Sequence, residues 1–285
     1  MIRSQTLLDN IYKKGFKRPS KIQAAALPIV LNMEKGKRNV IAQGQSGTGK
    51  TATYVLGMYN MVDPKVPQFK AICLEPTREL ARQTFDVCQE LSQGTGIKSK
   101  LIVTGTKSLL SLPIDDSFIS FDHAFFLFPA RRNELLEELV FVGTPGSMIK
   151  VIQMGNINPK NVLMLAVDEA DMMLLDNLGE QTARIKEMLH PSAKVLLFSA
   201  TFPDEVKEFA DKIAPEATKI TLKPSEVMLK RIMQLQCRTD ETHDKYSLVK
   251  SVFSKMSIGQ AIIFTNVCFF NRHNSSVVCI SCVFE

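Results

Sequence analysis

Residues 39–62 read NVIAQ-GQSGTGKT-ATYVLGMYNMV. The first five form an apolar, strand-length run. The last eleven have helical length and composition. Between them stands Gly44-Gln45-Ser46-Gly47-Thr48-Gly49-Lys50-Thr51. Glycines at these spacings let backbone N–H groups turn inward around an anion, and the following helix N-terminus adds positive partial charge. A lysine followed by a hydroxyl residue completes a phosphate-binding loop: Lys50 is placed for β- and γ-phosphates and Thr51 for Mg2+. A strand before the loop and a helix after it are the context this reading requires.

The same alternation continues outward. Strands are predicted over 39–43, 71–75, 100–104, 139–143, 161–168 and 194–199, all continuous and rich in Val, Ile and Leu. Helices are predicted over 50–62, 77–93, 147–154, 180–189 and 203–213. Repeated strand–helix–strand units imply an α/β fold, a mostly parallel sheet with helices on both faces. Ligands of such sheets bind at the carboxyl ends of the strands. The strand NVLMLAVD ends there in Asp168-Glu169-Ala170-Asp171. Asp168 is suited to hold Mg2+ largely through water, and Glu169 to orient an attacking water. With the phosphate loop, this pair points to a nucleoside triphosphatase. No Asn-Lys-x-Asp occurs, which argues against a guanine-specific enzyme.

Four further motifs follow in fixed order. Phe16-Lys17-Arg18-Pro19-Ser20-Lys21-Ile22-Gln23 precedes the loop, and Pro76-Thr77-Arg78-Glu79-Leu80 follows the second strand. Thr144-Pro145-Gly146 and Ser199-Ala200-Thr201 each follow a later strand. With Asp-Glu-Ala-Asp at 168–171, this order resembles the DEAD-box RNA helicases over about residues 5–110 and 133–267. The segments RPSKIQAAALP, DNLGEQTARIKEML and LLFSATFPDEV are most similar to the nuclear-pore, mRNA-export branch.

The resemblance implies a RecA-like P-loop domain and ATP with Mg2+ as cofactors. It gives Gln23, Phe16 and Ser20 to the nucleotide along with Gln45, Ser46, Gly47, Thr48, Gly49, Lys50 and Thr51. An amide offers both a donor and an acceptor to adenine. Catalysis falls to Lys50, Asp168 and Glu169. RNA phosphates fall to Thr77, Arg78, Gly105, Thr144 and Gly146, so binding carries little sequence preference. Asp171, Ser199 and Thr201 would couple the two sites. The implied activity is RNA-stimulated ATP hydrolysis driving duplex unwinding or RNA–protein remodelling. The implied partners are RNA and nucleoporin or helicase-activator proteins, in cytoplasm and nucleus at the pore. The alternative is a silent nucleotide- and RNA-binding half that acts as an interaction module.

Some features depart from that pattern. Ser147 stands where many members carry Arg, and Gly105-Thr106 where a Gly-Gly pair is common. Residues 111–132 hold five Phe within 11 positions, at 118, 121, 125, 126 and 128, and read as an atypical insert. The first domain is expected to span 1–222. Residues 223–267 read as a linker and the truncated start of a second RecA-like domain: strand MQLQC, helix DKYSLVKSVFSKM, strand AIIFTN. Residues 268–285 form a divergent tail. Its Cys279-x-x-Cys282 with His273 fits no zinc spacing. No arginine-rich segment follows Arg238, so little turnover is expected of this chain alone.

Composition is consistent with these readings. Of 285 residues, 45% are apolar and 22% charged, enough for a packed core. Six Cys are too few for a disulfide scaffold and suit a reducing compartment. The net charge of +6 permits a polyanionic partner. No apolar run reaches spanning length, and a monomer is expected.

Overall fold

Along each strand, successive side chains alternate between two apolar faces, and this fixes the layers. In β1 (Val40–Gln43), Val40 and Ala42 belong to one core and Ile41 to the other. In β2 (Lys70–Leu74), Ala71 and Cys73 face the first and Ile72 and Leu74 the second. The same split recurs in β4 (Val140–Gly143), β5 (Val162–Val167) and β6 (Lys194–Ser199). Both faces are covered, so the runs read as unbroken apolar stretches.

The computed structural model describes residues 4–32, 39–45, 47–103, 132–175, 177–221, 237 and 245–255. Seven strands form one sheet; with β3 (Ser99–Ile102) and β7 (Thr218–Ile220) at its edges, the order is β3-β4-β2-β5-β6-β1-β7, and every described pair is parallel. The first face is covered by α1 (Gln5–Lys13), α2 (Lys21–Val30), α3 (Lys50–Met61) and α4 (Arg78–Ser92). The second is covered by α5 (Pro145–Gln153), α6 (Leu178–Met188) and α7 (Asp204–Ile213). Phe141, Leu165 and Phe198 are fully buried. Each such side chain contributes about 1.5–3 kcal/mol relative to exposure.

The expected α/β fold is present, and its six expected strands and five expected helices all form, with ends displaced by a few residues. The third strand is β3 (Ser99–Ile102), one residue early. Three elements go beyond the sequence expectation. α1 begins at a Ser4 cap, whose hydroxyl accepts from the Leu7 N–H. α2 begins at a reciprocal Ser20–Gln23 capping box. β7 (Thr218–Ile220) extends the sheet edge beside β1.

The chain divides into two compact units, residues 1–228 and 229–285. In the second, the described element is α8 (Lys245–Lys255), within the stretch expected to be helical. Ser46, Gly105, Thr106, the insert except Arg132, the strand AIIFTN and the tail 268–285 lie outside the described residues. No described helix is long and apolar enough to cross a membrane.

Candidate functional site

The loop after β1 is shaped by two left-handed glycines, Gly47 at φ +78° and Gly49 at φ +94°. Gly49 has a second constraint: a Cβ there would overlap the Gln23 amide. The N-terminus of α2 grips the loop at this point. Ser20 Oγ donates to the Thr48 carbonyl at 2.6 Å, and Gln23 Nε2 donates to the Gly49 carbonyl at 3.2 Å. Gln23 Oε1 also accepts from the Ser20 N–H at 2.9 Å. The amide therefore holds the loop and keeps one N–H and one lone pair for other partners. The Thr48 hydroxyl donates to the Gln45 carbonyl at 2.6 Å, and the Gly44 N–H to the Ser199 carbonyl at 3.0 Å. Phe16 is 39% exposed, so it is not a core residue and its ring is accessible.

Lys50 opens α3 and points into the acidic pair. Its ammonium is 2.8 Å from Glu169 Oε1 and 3.6 Å from Asp168 Oδ1, and the residue is only 4% exposed. Burying a cation at this depth requires paired charge. Asp168 is held on both oxygens. Oδ1 accepts from the Glu169 N–H at 2.8 Å and Oδ2 from the Tyr54 hydroxyl at 3.1 Å. Burial pushes the Asp168 carboxyl up, with Lys50 opposing. Glu169 has φ +46°, a left-handed conformation that costs a non-glycine residue about 1–3 kcal/mol. That strain turns its carboxylate back toward Lys50.

These features suit a nucleotide and a hard cation. The glycine turns leave a loop free of Cβ atoms beside a lysine. Asp168 and Glu169 supply carboxylate oxygens beside Lys50, the residue before Thr51 in α3, and oxygen donors are what Mg2+ takes.

Asp171, Ser199 and Thr201 also meet. The Asp171 N–H donates to Ser199 Oγ at 3.1 Å. Thr201 donates to Asp171 Oδ2 from its hydroxyl at 2.7 Å and its N–H at 3.1 Å. Partial burial raises the Asp171 carboxyl, but hydrogen bonds from Thr201, Ser199 and Met172 outweigh it and hold the group below its ordinary range. This contact ties the end of β5 to the end of β6.

A cleft of about 390 Å3 gathers Thr77, Arg78, Thr144 and Gly146 from two separate motifs. α4 and α5 both start at its wall, so two helix N-termini and the Arg78 side chain line it. The Thr77 hydroxyl caps α4 by accepting from the Leu80 N–H at 3.2 Å. Lys150 and Gln181 also line the cleft and were not anticipated from sequence. Lys150 lies one turn after Gly146, a spacing that could have marked it. Gln181 comes from α6 and carries no linear signal. Its Oε1 is buried without a hydrogen-bond partner among the described residues and lies next to where a Gly146 Cβ would stand.

The sequence analysis also missed a buried group behind Asp168. Glu75 is 1% exposed, and its Oε1 accepts from Thr84 at 2.7 Å and lies 2.9 Å from the Tyr54 hydroxyl. Burial first and then the Asp168 charge push Glu75 up to about 8. Burial, followed by Asp168 and Glu75, raises the Tyr54 phenol well above its ordinary value.

The chain is similar to known proteins in sequence and fold. Residues 20–209 match the family model described as DEAD/DEAH box helicase. The chain is 38% identical over 262 residues to ATP-dependent RNA helicase DBP5 of Kluyveromyces lactis, covering 92% of this chain and 50% of that protein. It is similar to Saccharomyces cerevisiae Dbp5 solved with RNA and ADP BeF3, at 38% identity and TM-score 0.73, covering 92% of this chain and 61% of that one. A Dbp5 variant of that yeast, solved with Nup159, a Gle1 variant, IP6 and ADP, aligns at 40% identity and TM-score 0.63, covering 77% of this chain and 52% of that one. The chain spans about half the length of the curated relatives it matches. The matched span runs from Ser20, which grips the phosphate loop, to Phe209, which closes the second core. On that agreement the chain belongs to the DEAD/DEAH box helicase family.

Proposed function

We propose that this chain supplies the nucleotide-binding and RNA-contacting part of an ATP-dependent RNA helicase of the DBP5 type, acting in mRNA export. The observation that carries the reading is the Lys50 ammonium buried between Asp168 and Glu169 at the mouth of the glycine loop. A cation held there by two carboxylates has a strong anionic ligand to exchange them for when phosphates arrive.

In this reading Lys50 holds the β- and γ-phosphates, and the N–H groups of Gln45, Ser46, Gly47, Thr48 and Gly49 surround them. Thr51 and Asp168 hold Mg2+, largely through water; the ion supplies neutralisation of phosphate charge. Glu169 orients and activates the water that attacks the γ-phosphoryl group, giving ADP and phosphate. The remaining N–H and lone pair of Gln23 read adenine, Phe16 stacks on it, and Ser20 fixes both against the loop. Thr77, Arg78, Gly105, Thr144 and Gly146 hold RNA phosphates. Asp171, Ser199 and Thr201 transmit the state of one strand end to the other.

Residues 1–222 form the first RecA-like domain on this reading. Residues 223–267 are a linker and the start of a second, and 268–285 are a divergent tail. The 285-residue polypeptide alone binds ATP and RNA weakly with little turnover. RNA is bound without sequence preference, and proteins of the kind that Dbp5 meets in its solved complexes, Nup159 and Gle1, are the expected partners at the nuclear pore.

The test titrates fluorescent ADP and GDP analogues against wild type and Gln23→Ala. ADP should bind about tenfold tighter, the worth of one or two neutral hydrogen bonds, and Gln23→Ala should reduce that preference. Equal affinities in wild type reject the adenine-reading role.

A further inference from the structure

Asp168 is supported from behind by a polar cluster that the nucleotide reading leaves without a role. Tyr54 stands four residues after Lys50 on α3, on the same helix face. Its ring packs against Phe198 with centroids 5.5 Å apart. Its hydroxyl lies 2.9 Å from Glu75 Oε1, 3.0 Å from Thr84 Oγ1 and 3.1 Å from Asp168 Oδ2. α3 and α4 thus each bring a hydroxyl group, and the residue after β2 brings a carboxyl, to the residue that follows β5.

Counting protons shows what this cluster does. Thr84 donates its one proton to Glu75 Oε1 at 2.7 Å. Tyr54 has one proton and two carboxyl groups within reach, so Glu75 competes with Asp168 for it. A proton on Glu75 removes the competing charge and leaves the Tyr54 proton for Asp168.

We infer that Tyr54, held from behind by Glu75 and Thr84, is a positioning residue for Asp168 that sets how tightly the site takes magnesium-bound nucleotide. With Oδ2 fixed by Tyr54 and Oδ1 by the Glu169 N–H, the carboxylate cannot rotate, and its remaining lone pairs have fixed directions. The inference rests on the assignment of Asp168 to Mg2+ and adds the group that orients it. Hydrogen-bond partners behind a metal-binding carboxylate typically change metal affinity about 10- to 100-fold when removed.

The experiment uses the full 285-residue chain. Binding of a fluorescent ADP analogue is followed as Mg2+ is titrated, in wild type, Tyr54→Phe and Glu75→Gln, with thermal melting and metal-free ADP affinity measured alongside. Tyr54→Phe keeps the ring on Phe198 and removes only the hydroxyl. It should raise the Mg2+ concentration at half-saturation at least tenfold, with metal-free affinity unchanged within twofold. Glu75→Gln removes the competing carboxylate but leaves the Tyr54 hydroxyl in place, so its Mg2+ curve should move less than that of Tyr54→Phe; an equal or larger shift overturns the inference that the Tyr54 hydroxyl is the positioning group. A Tyr54→Phe curve that overlays wild type overturns the inference alone. So does an equal loss of metal-free and Mg2+-dependent binding, which marks a merely structural role. Wild-type binding that ignores Mg2+ overturns the assignment of Asp168 as well.

Discussion

The pocket around Lys50 and the cleft around Arg78 open at the same edge of one sheet, yet they are built differently. In the pocket, charges are buried and mutually satisfied: Lys50 pairs with two carboxylates, and Asp168 has both oxygens hydrogen-bonded. In the cleft, Arg78 and Lys150 are exposed, and two helix N-termini add partial positive charge. Buried charge is expensive unless its partners are placed with care, so the pocket can distinguish ligands and protonation states. Exposed charge is cheap, screened by salt and tolerant, as suits a polyanion held by its backbone. The pocket is therefore the stricter of the two sites, and substitutions should affect the two in different ways.

The largest contrast concerns pH. Glu75 is raised from an ordinary carboxyl value to about 8 by burial and by Asp168, with Tyr54, Thr84 and Cys73 as its hydrogen-bonding neighbours. The folded state thus binds a proton that the unfolded state has released. Stability is full below about pH 4.5 and falls as pH rises toward about 8. The slope reaches about 1.4 kcal/mol per pH unit inside that window. Glu75→Gln should flatten the profile and melt higher than wild type at pH 8, as measured by urea unfolding at several pH values. An unchanged slope would mean that Glu75 stays ionised in the fold. Substitutions in the cleft should leave this profile alone.

A smaller effect is expected in the cleft. Arg78→Ala should weaken single-stranded RNA binding several-fold and reduce the slope of log affinity against log salt by about one. The loss should be similar for unrelated sequences, as read by fluorescence anisotropy. A loss confined to one sequence would show that the cleft reads bases, and the comparison between the two sites would have to be redrawn.

The smallest effect belongs to Gln181, whose Oε1 is buried under Gly146 without a partner among the described residues. An unsatisfied buried acceptor costs about 1–3 kcal/mol. Gln181→Met should therefore raise stability by roughly 1 kcal/mol in the absence of RNA, without altering nucleotide affinity. A destabilised variant would show that the amide is satisfied in solution.

Much of this was legible in the sequence, and the reason is physical. β1, β2, β4, β5 and β6 are buried on both faces, so each leaves an unbroken apolar run, and the chemistry sits where those runs end. β7 was not legible because Thr218-Lys219-Ile220 is short, half-exposed and held only at the sheet edge. α2 had a signal in the Ser20–Gln23 capping box, but the same residues were read as a nucleotide motif and the helix behind them was overlooked. Linear motifs marked Lys50, Asp168, Thr77 and Thr144 as candidates. Tyr54, Glu75, Thr84 and Gln181 reach their neighbours only through packing between elements far apart in the chain, and nothing local marks them.

In the proposed reading Lys50 binds nucleotide in the ground state, whereas Glu169 acts mainly on the attacking water. Equilibrium titration of a fluorescent ADP analogue with Mg2+ against wild type, Lys50→Ala and Glu169→Gln tests it most directly. Lys50→Ala should lose at least about 100-fold in affinity, the cost of removing a buried charged contact to phosphate. Glu169→Gln should remain within about threefold of wild type, because its amide still accepts from Lys50. Equal losses in the two variants would contradict the account.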